Sequence, residues 1–151
     1  MISVYGGIVL IHVIAAVCGL GATFALPVLM NRPKTVVQAN FAIHVNAGIE
    51  KLAKMGSITL LVTGIILGIL NPELFTKFWY IASLVIYIAA QPIVAVILPK
   101  KIAEQQAILE SHTGEDLPDS YLQIGKKMAP YNHFMHSAAI ILIALMVLKP
   151  F

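Results

Sequence analysis

The sequence predicts an all-α fold: an integral membrane antiparallel four-helix bundle, with both termini outside and two cytoplasmic helical extensions. Three observations carry this reading. Only 11% of the 151 residues are charged and 59% are hydrophobic, whereas soluble domains carry roughly 25% charged residues. Mean hydropathy is +0.88. The charges are also segregated, because residues 1–30, 55–72, 78–99 and 128–148 contain no Asp, Glu, Lys or Arg. Each run reaches or approaches the ~20 apolar residues that cross a bilayer as a helix. A water-soluble globule, a disordered chain and a disulfide scaffold are excluded.

The elements follow in order as one domain, residues 1–151, with spans at about 3–30, 52–71, 77–99 and 122–148. Span one lacks a basic leader, and its apolar run is too long for the core of a signal peptide. Val17 is too bulky to precede a lipoprotein cleavage at Cys18, so the segment reads as a retained span. That single cysteine allows no intrachain disulfide. Span two is short, but Lys51 and Lys54 can snorkel from its start and bring Leu52 and Ala53 into the membrane. Its run LLVTGIILGIL does not alternate as a barrel strand would. Span three opens on Trp79 and Tyr80 beside Lys77, as interfacial aromatic belts do. Span four is capped by Asp119 or Ser120 and ended by Pro150.

Basic residues orient the bundle. Arg32, Lys34, Lys51, Lys54, Lys100, Lys101, Lys126 and Lys127 fall on one side, and Lys77 and Lys149 on the other. The first side is therefore cytoplasmic, and the location is the bacterial inner (plasma) membrane, multi-pass. The net charge of +3 and pI near 9.1 are by-products of this bias, with no nucleic-acid partner implied. Both long connections carry helical patterns. Val36, Phe41, Val45, Ile49 and Leu52 extend span two, and Ile102, Ala103, Gln106 and Leu109 extend span three.

Hydrocarbon penalises polar groups, so those inside spans are candidates for function. Span one has His12. Span two has Ser57, Thr59 and Thr63. Span three has Ser83, Tyr87 and Gln91 on one face, and span four has Asn132, His133, His136 and Ser137. Counted from the outer ends of their uncharged runs, His12 and His136 lie at matching depths of ~17 Å, and His133 one turn deeper. Neutral imidazole is a common axial ligand of haem iron, so His12 with His136 (or His133) forms a candidate b-type-haem site. Ala16 and Gly19 continue the His12 face as a smooth strip that accepts either a flat ring or another helix. Lys54 and Lys127 can serve haem propionates near the cytoplasmic side, and Lys149 near the outer side. His133 and His136 with Asn132 also suit copper or zinc. Against these stand plainer roles: interhelical hydrogen bonds for the histidines, and helix packing for the Gly64-Ile-Ile-Leu-Gly68 pattern, which also offers a homo-oligomer contact. No nucleophile–base pair or phosphate loop is present, and no span contains a carboxylate.

The segments GGIVLIHVIAAVCGLGATFALPVLM, IEKLAKMGSITLLVTGIILG, FWYIASLVIYIAAQ and the closing VLKP resemble a family of small bacterial integral membrane proteins. That family is related to the copper-resistance D (CopD) membrane domain and to the membrane protoporphyrinogen oxidase HemJ. The resemblance covers nearly the whole chain. It implies a four-helix membrane domain with a histidine early in span one, matching His12, and, in the oxidase branch, a b-type haem bound there. It also matches Lys54 to a basic residue at the start of span two. The sequence lacks the tryptophan-rich first span of the oxidase branch.

The expectation is thus a haem b protein for electron transfer, redox chemistry on a quinone or porphyrin, or haem handling, in contact with the lipid bilayer. The alternative is a non-enzymatic channel or transporter, with copper or no cofactor, or an accessory subunit of a membrane complex. Nothing in the residues decides whether a reaction is catalysed.

Overall fold

The computed structural model describes residues 3–151 and is helical throughout, with four stretches long and apolar enough to cross a membrane. Helix α1 spans Val4–Met30, α2 spans Val36–Leu70, and a 3₁₀ turn over Pro72–Thr76 leads to α3, Phe78–Pro92. A π segment, Ile93–Ile97, joins α3 to α4, Leu98–Ser111, without a break; α5 spans Asp119–Leu148. The π segment lies between Pro92 and Pro99, and both prolines lack the N–H that an α-helix interior needs.

Side chains cap the first two helices. Ser3 accepts from the Gly6 N–H at 3.0 Å, and Thr35 accepts from the Gln38 N–H at 3.3 Å. For α5 the expected cap is corrected: Pro118 holds the N-cap position without a side-chain bond, and Asp119 is the first helical residue. There its carboxylate faces the positive end of the helix dipole. At the other end Lys149 adopts a left-handed conformation, φ 45°. The Phe78 N–H donates to the Phe151 carbonyl at 2.8 Å, tying the C-terminus to the start of α3.

At ~1.5 Å per residue the 35-residue α2 is ~52 Å long, well beyond the ~30 Å hydrocarbon core. Its first turns and α4 therefore extend past the membrane at the lysine-rich end, as the sequence predicts. There they form a small core of Ala39, Ile43, Leu109 and Tyr121, flanked by Met30, Val36 and Ile102. The Val36 N–H donates to the Glu115 carbonyl at 2.9 Å and closes this layer. The buried faces differ from the predicted stripes. On α2, Phe41 is 68% exposed while Ala39, Ala42, Ile43 and Asn46 are buried; on α4, Gln105 rather than Gln106 turns inward with Leu109. These residues lie in the layer beyond the membrane, where the close contact between helices is made by small residues such as Ala39 and Ala42.

Helices α1 and α2 cross at Gly19 and Gly56. A Cβ on Gly56 would lie 2.8 Å from the Gly19 nitrogen and 3.0 Å from the Ala15 carbonyl oxygen. Helix α5 packs along α3 and α4 and also touches α1. Two tyrosines a heptad apart join α3 to α2. Tyr80 donates to the Gly64 carbonyl at 3.0 Å, and Tyr87 donates to the Ser57 carbonyl at 2.6 Å.

Candidate functional site

The Gly19/Gly56 crossing sets the antiparallel register. His12 lies seven residues before Gly19 and Thr63 seven after Gly56, so two turns from the crossing they stand side by side. His12 Nδ1 is 2.8 Å from Thr63 Oγ1. The threonine hydroxyl donates its proton back into α2, to the Thr59 carbonyl at 2.6 Å and at 3.2 Å to that of Leu60. With its one proton so placed, Thr63 can only accept from the imidazole, so Nδ1 carries a proton. The neutral tautomer then leaves the Nε2 lone pair unprotonated, and Nε2 has no hydrogen-bond partner among the described residues. Gly64 admits the ring: a Cβ there would lie 3.3 Å from His12 Cε1.

His12 lines a cavity of about 580 Å³ between α1, α2, α3 and α5, within the ~300–1,000 Å³ typical of small-molecule and cofactor sites. Its wall is largely apolar, with Ala16 and Phe24 from α1, Trp79 and Tyr80 from α3, and Met146 from α5. Lys149 is at the rim, its ammonium 5.8 Å from the centre of the Trp79 ring. Trp79 and Tyr80 pack edge to face at 5.9 Å.

Of the residues singled out from sequence, His12, Ala16, Gly64, Ser83, Tyr87 and Lys149 line this cavity, whereas Gly19, Lys54, His133 and His136 do not. His136 donates from Nε2 to the Thr23 carbonyl at 2.9 Å and stacks on Phe24 with centroids 5.0 Å apart and planes 7° from parallel. Thr23 is eleven residues beyond His12, or ~16 Å along α1, too far for both imidazoles to ligate one iron. The expected His12–His136 pair is therefore corrected. Equal depth was counted from the ends of the runs, but α1 and α5 are offset. With Thr23 beside His136, His12 falls level with the Met146–Val147 turn, and those residues line its cavity. His133 is exposed, its ring 6.5 Å from that of His136. Among the described residues no group of three His, Cys, Asp or Glu side chains assembles to hold a metal ion.

Gly19 serves the helix crossing instead of the cavity. Lys54 pairs with Glu50 at 2.8 Å and lines a separate, deeper chamber, so it does not reach a ligand beside His12. The Gly64/Gly68 face is used within the protomer. A Cβ on Gly68 would overlap the Tyr80 hydroxyl and come within 2.9 Å of Phe75 Cζ, so that face offers no room to a second copy. Ser83, Tyr87 and Gln91 bond mainly to backbone: Ser83 donates to the Trp79 carbonyl at 2.7 Å, and Gln91 to that of Tyr87 at 3.4 Å. Tyr87 alone of the three crosses to another helix, bonding both the carbonyl and the hydroxyl of Ser57. The role of Thr63 is invisible in a list of polar residues. It becomes legible once Gly19 and Gly56 are recognised as the point of closest approach.

No curated protein and no solved structure matches the chain. A family model described as a predicted integral membrane protein (DUF2269) matches residues 7–150, and the four apolar helices agree with that description. The chain belongs to this family of integral membrane proteins.

Proposed function

We propose that the protein is a redox or ligand-handling protein of the bacterial plasma membrane that holds a flat, largely apolar cofactor, b-type haem, against His12. The observation that carries this reading is the chain from His12 Nδ1 through Thr63 Oγ1 to the Thr59 carbonyl, which leaves Nε2 free at a cavity of about 580 Å³. Metal-ligating histidines characteristically donate their other ring N–H in this way, which fixes the tautomer and raises ligand basicity. The wall is apolar and aromatic, as a porphyrin requires, and Lys149 at the rim can neutralise one propionate. Haem would supply one-electron chemistry at iron. The chain's own contribution is to orient the imidazole, exclude water and set the polarity around the ring.

With His136 engaged elsewhere, His12 is the one histidine that would hold the group, and the rest of the cavity would be open to a substrate or a gas. That favours chemistry on a lipophilic substrate such as a quinone or porphyrin, or sensing, over bis-histidine electron transfer. The test is the absorption spectrum of detergent-solubilised protein, oxidised and reduced. A Soret band should be present and should vanish in His12→Ala. A colourless, haem-free protein from haem-replete cells would overturn the haem reading.

A further inference from the structure

Toward the lysine-rich end lies a second chamber of about 120 Å³, large enough for several waters. Its polar lining includes Asn46, Glu50, Lys54 and Ser57 of α2, Tyr87 of α3 and Asn132 of α5. Asn46 is only 1% exposed, yet its Oδ1 has no hydrogen-bond donor among the described residues. A buried acceptor left in that state is costly unless a small donor meets it, and in a chamber with room for several waters and these polar side chains in its wall that donor is water. At the mouth, Lys54 is half exposed and paired with Glu50.

Leu20, Leu60, Tyr87 and Leu142 line both chambers and so form the partition between them. Among these four, Tyr87 supplies the one side-chain polar group. Its hydroxyl is hydrogen-bonded to the Ser57 hydroxyl on the inner side and donates to the Ser57 carbonyl.

We propose that the inner chamber is a water-filled inlet that carries protons from the lysine-rich end to the His12 cavity, with Glu50 at its mouth and the Ser57–Tyr87 hydroxyl pair as the crossing. In the transfer, the Tyr87 O–H turns from the Ser57 carbonyl toward the outer cavity and gives its proton to the acceptor there. Tyr87 then takes the proton of Ser57 Oγ, which is replaced from a chamber water that is itself reprotonated from outside through the mouth at Glu50. Each hydroxyl gains one proton and loses one, so no charge stays in the partition. Redox reactions of quinones and porphyrins consume or release protons, and an apolar outer cavity cannot supply them itself. The inlet rests on the proposed ligand site, but its tests need no bound ligand.

On a Cys18→Ala background, single cysteines at Ser57 and Asn132 report on the chamber, and Ile58→Cys, on the lipid-facing side of α2, is the control. The thiolate is the nucleophile that attacks thiosulfonate reagents, and it forms in water and not in hydrocarbon. A small membrane-impermeant thiosulfonate applied at the lysine-rich end should therefore label Ser57→Cys and Asn132→Cys at least about tenfold faster than Ile58→Cys. Equal rates at all three positions, or faster labelling from the aromatic end, would overturn the inlet. For the crossing, hydrogen–deuterium exchange of the His12 ring proton is followed by NMR. Tyr87→Phe should slow it at least about tenfold, since it removes the only hydroxyl of the partition; an unchanged rate would eliminate Tyr87 as the route. Absence of a bound chromophore would remove the proposed function and leave both readouts intact.

Discussion

Thr63→Val tests the site most directly, because valine keeps the shape of threonine and removes only the acceptor of the His12 ring proton. The wild-type bond is 2.8 Å long and partly buried, and Thr63 is anchored by its own bond of 2.6 Å to the Thr59 carbonyl. In the variant the Nδ1–H is stranded against a methyl group. A buried donor left unsatisfied costs about 1–3 kcal/mol. Loss of an outer partner of a metal-bound histidine weakens metal affinity about 10–100-fold, which is about 1.4–2.8 kcal/mol. The two routes agree. Titrating haem into haem-free protein and following the Soret band should give an affinity reduced about 10–100-fold. Thr59→Val is the control. Only the Thr59 carbonyl serves Thr63, so this variant should bind haem as the wild type does. Wild-type affinity in Thr63→Val, or equal losses in both variants, would refute the tautomer argument.

Three further expectations follow from the geometry. Gly56→Ala places a Cβ 2.8 Å from the Gly19 nitrogen, so overpacking at the α1/α2 crossing should cost about 1–3 kcal/mol, measured as a lower Tm in detergent. Gly7→Ala meets nothing within 4 Å and should leave Tm unchanged. His136→Ala should keep the Soret band and lower stability by about 1 kcal/mol through the lost bond to Thr23; a lost chromophore would restore His136 as a ligand. Reduced protein should bind carbon monoxide with a shifted Soret band, because His12 is the one histidine lining the cavity; an unshifted band would count against a site open to small ligands beside His12.

Much of the fold is legible before any coordinates. The four spans, their order and the two helical extensions at the lysine-rich end follow from where charge is absent and where it returns. The buried faces are less legible. The pattern that includes Phe41 marks the helical extension of span two, but it does not say which side is buried: Phe41 is exposed, while Ala39 and Asn46 are buried. The cost of placing imidazole in hydrocarbon marks His12, His133 and His136 alike as candidates. The pairing of His12 with His136 was mistaken, because equal depth was counted from the ends of the uncharged runs.

The ends of those runs mark where the membrane stops, not how the helices are offset. Hydropathy and charge vary along one dimension, so the chain alone establishes an all-α bundle that crosses the membrane four times and a histidine within its first span. Which groups meet is a matter of helix offset, set here by the closest approach of two glycines. Gly19 against Gly56 brings His12 to Thr63, and the packing of α5 on α1 carries His136 to Thr23. A shift of one turn, ~5.4 Å, would separate each pair without changing the hydropathy of either helix. For that reason the site belongs to the tertiary structure.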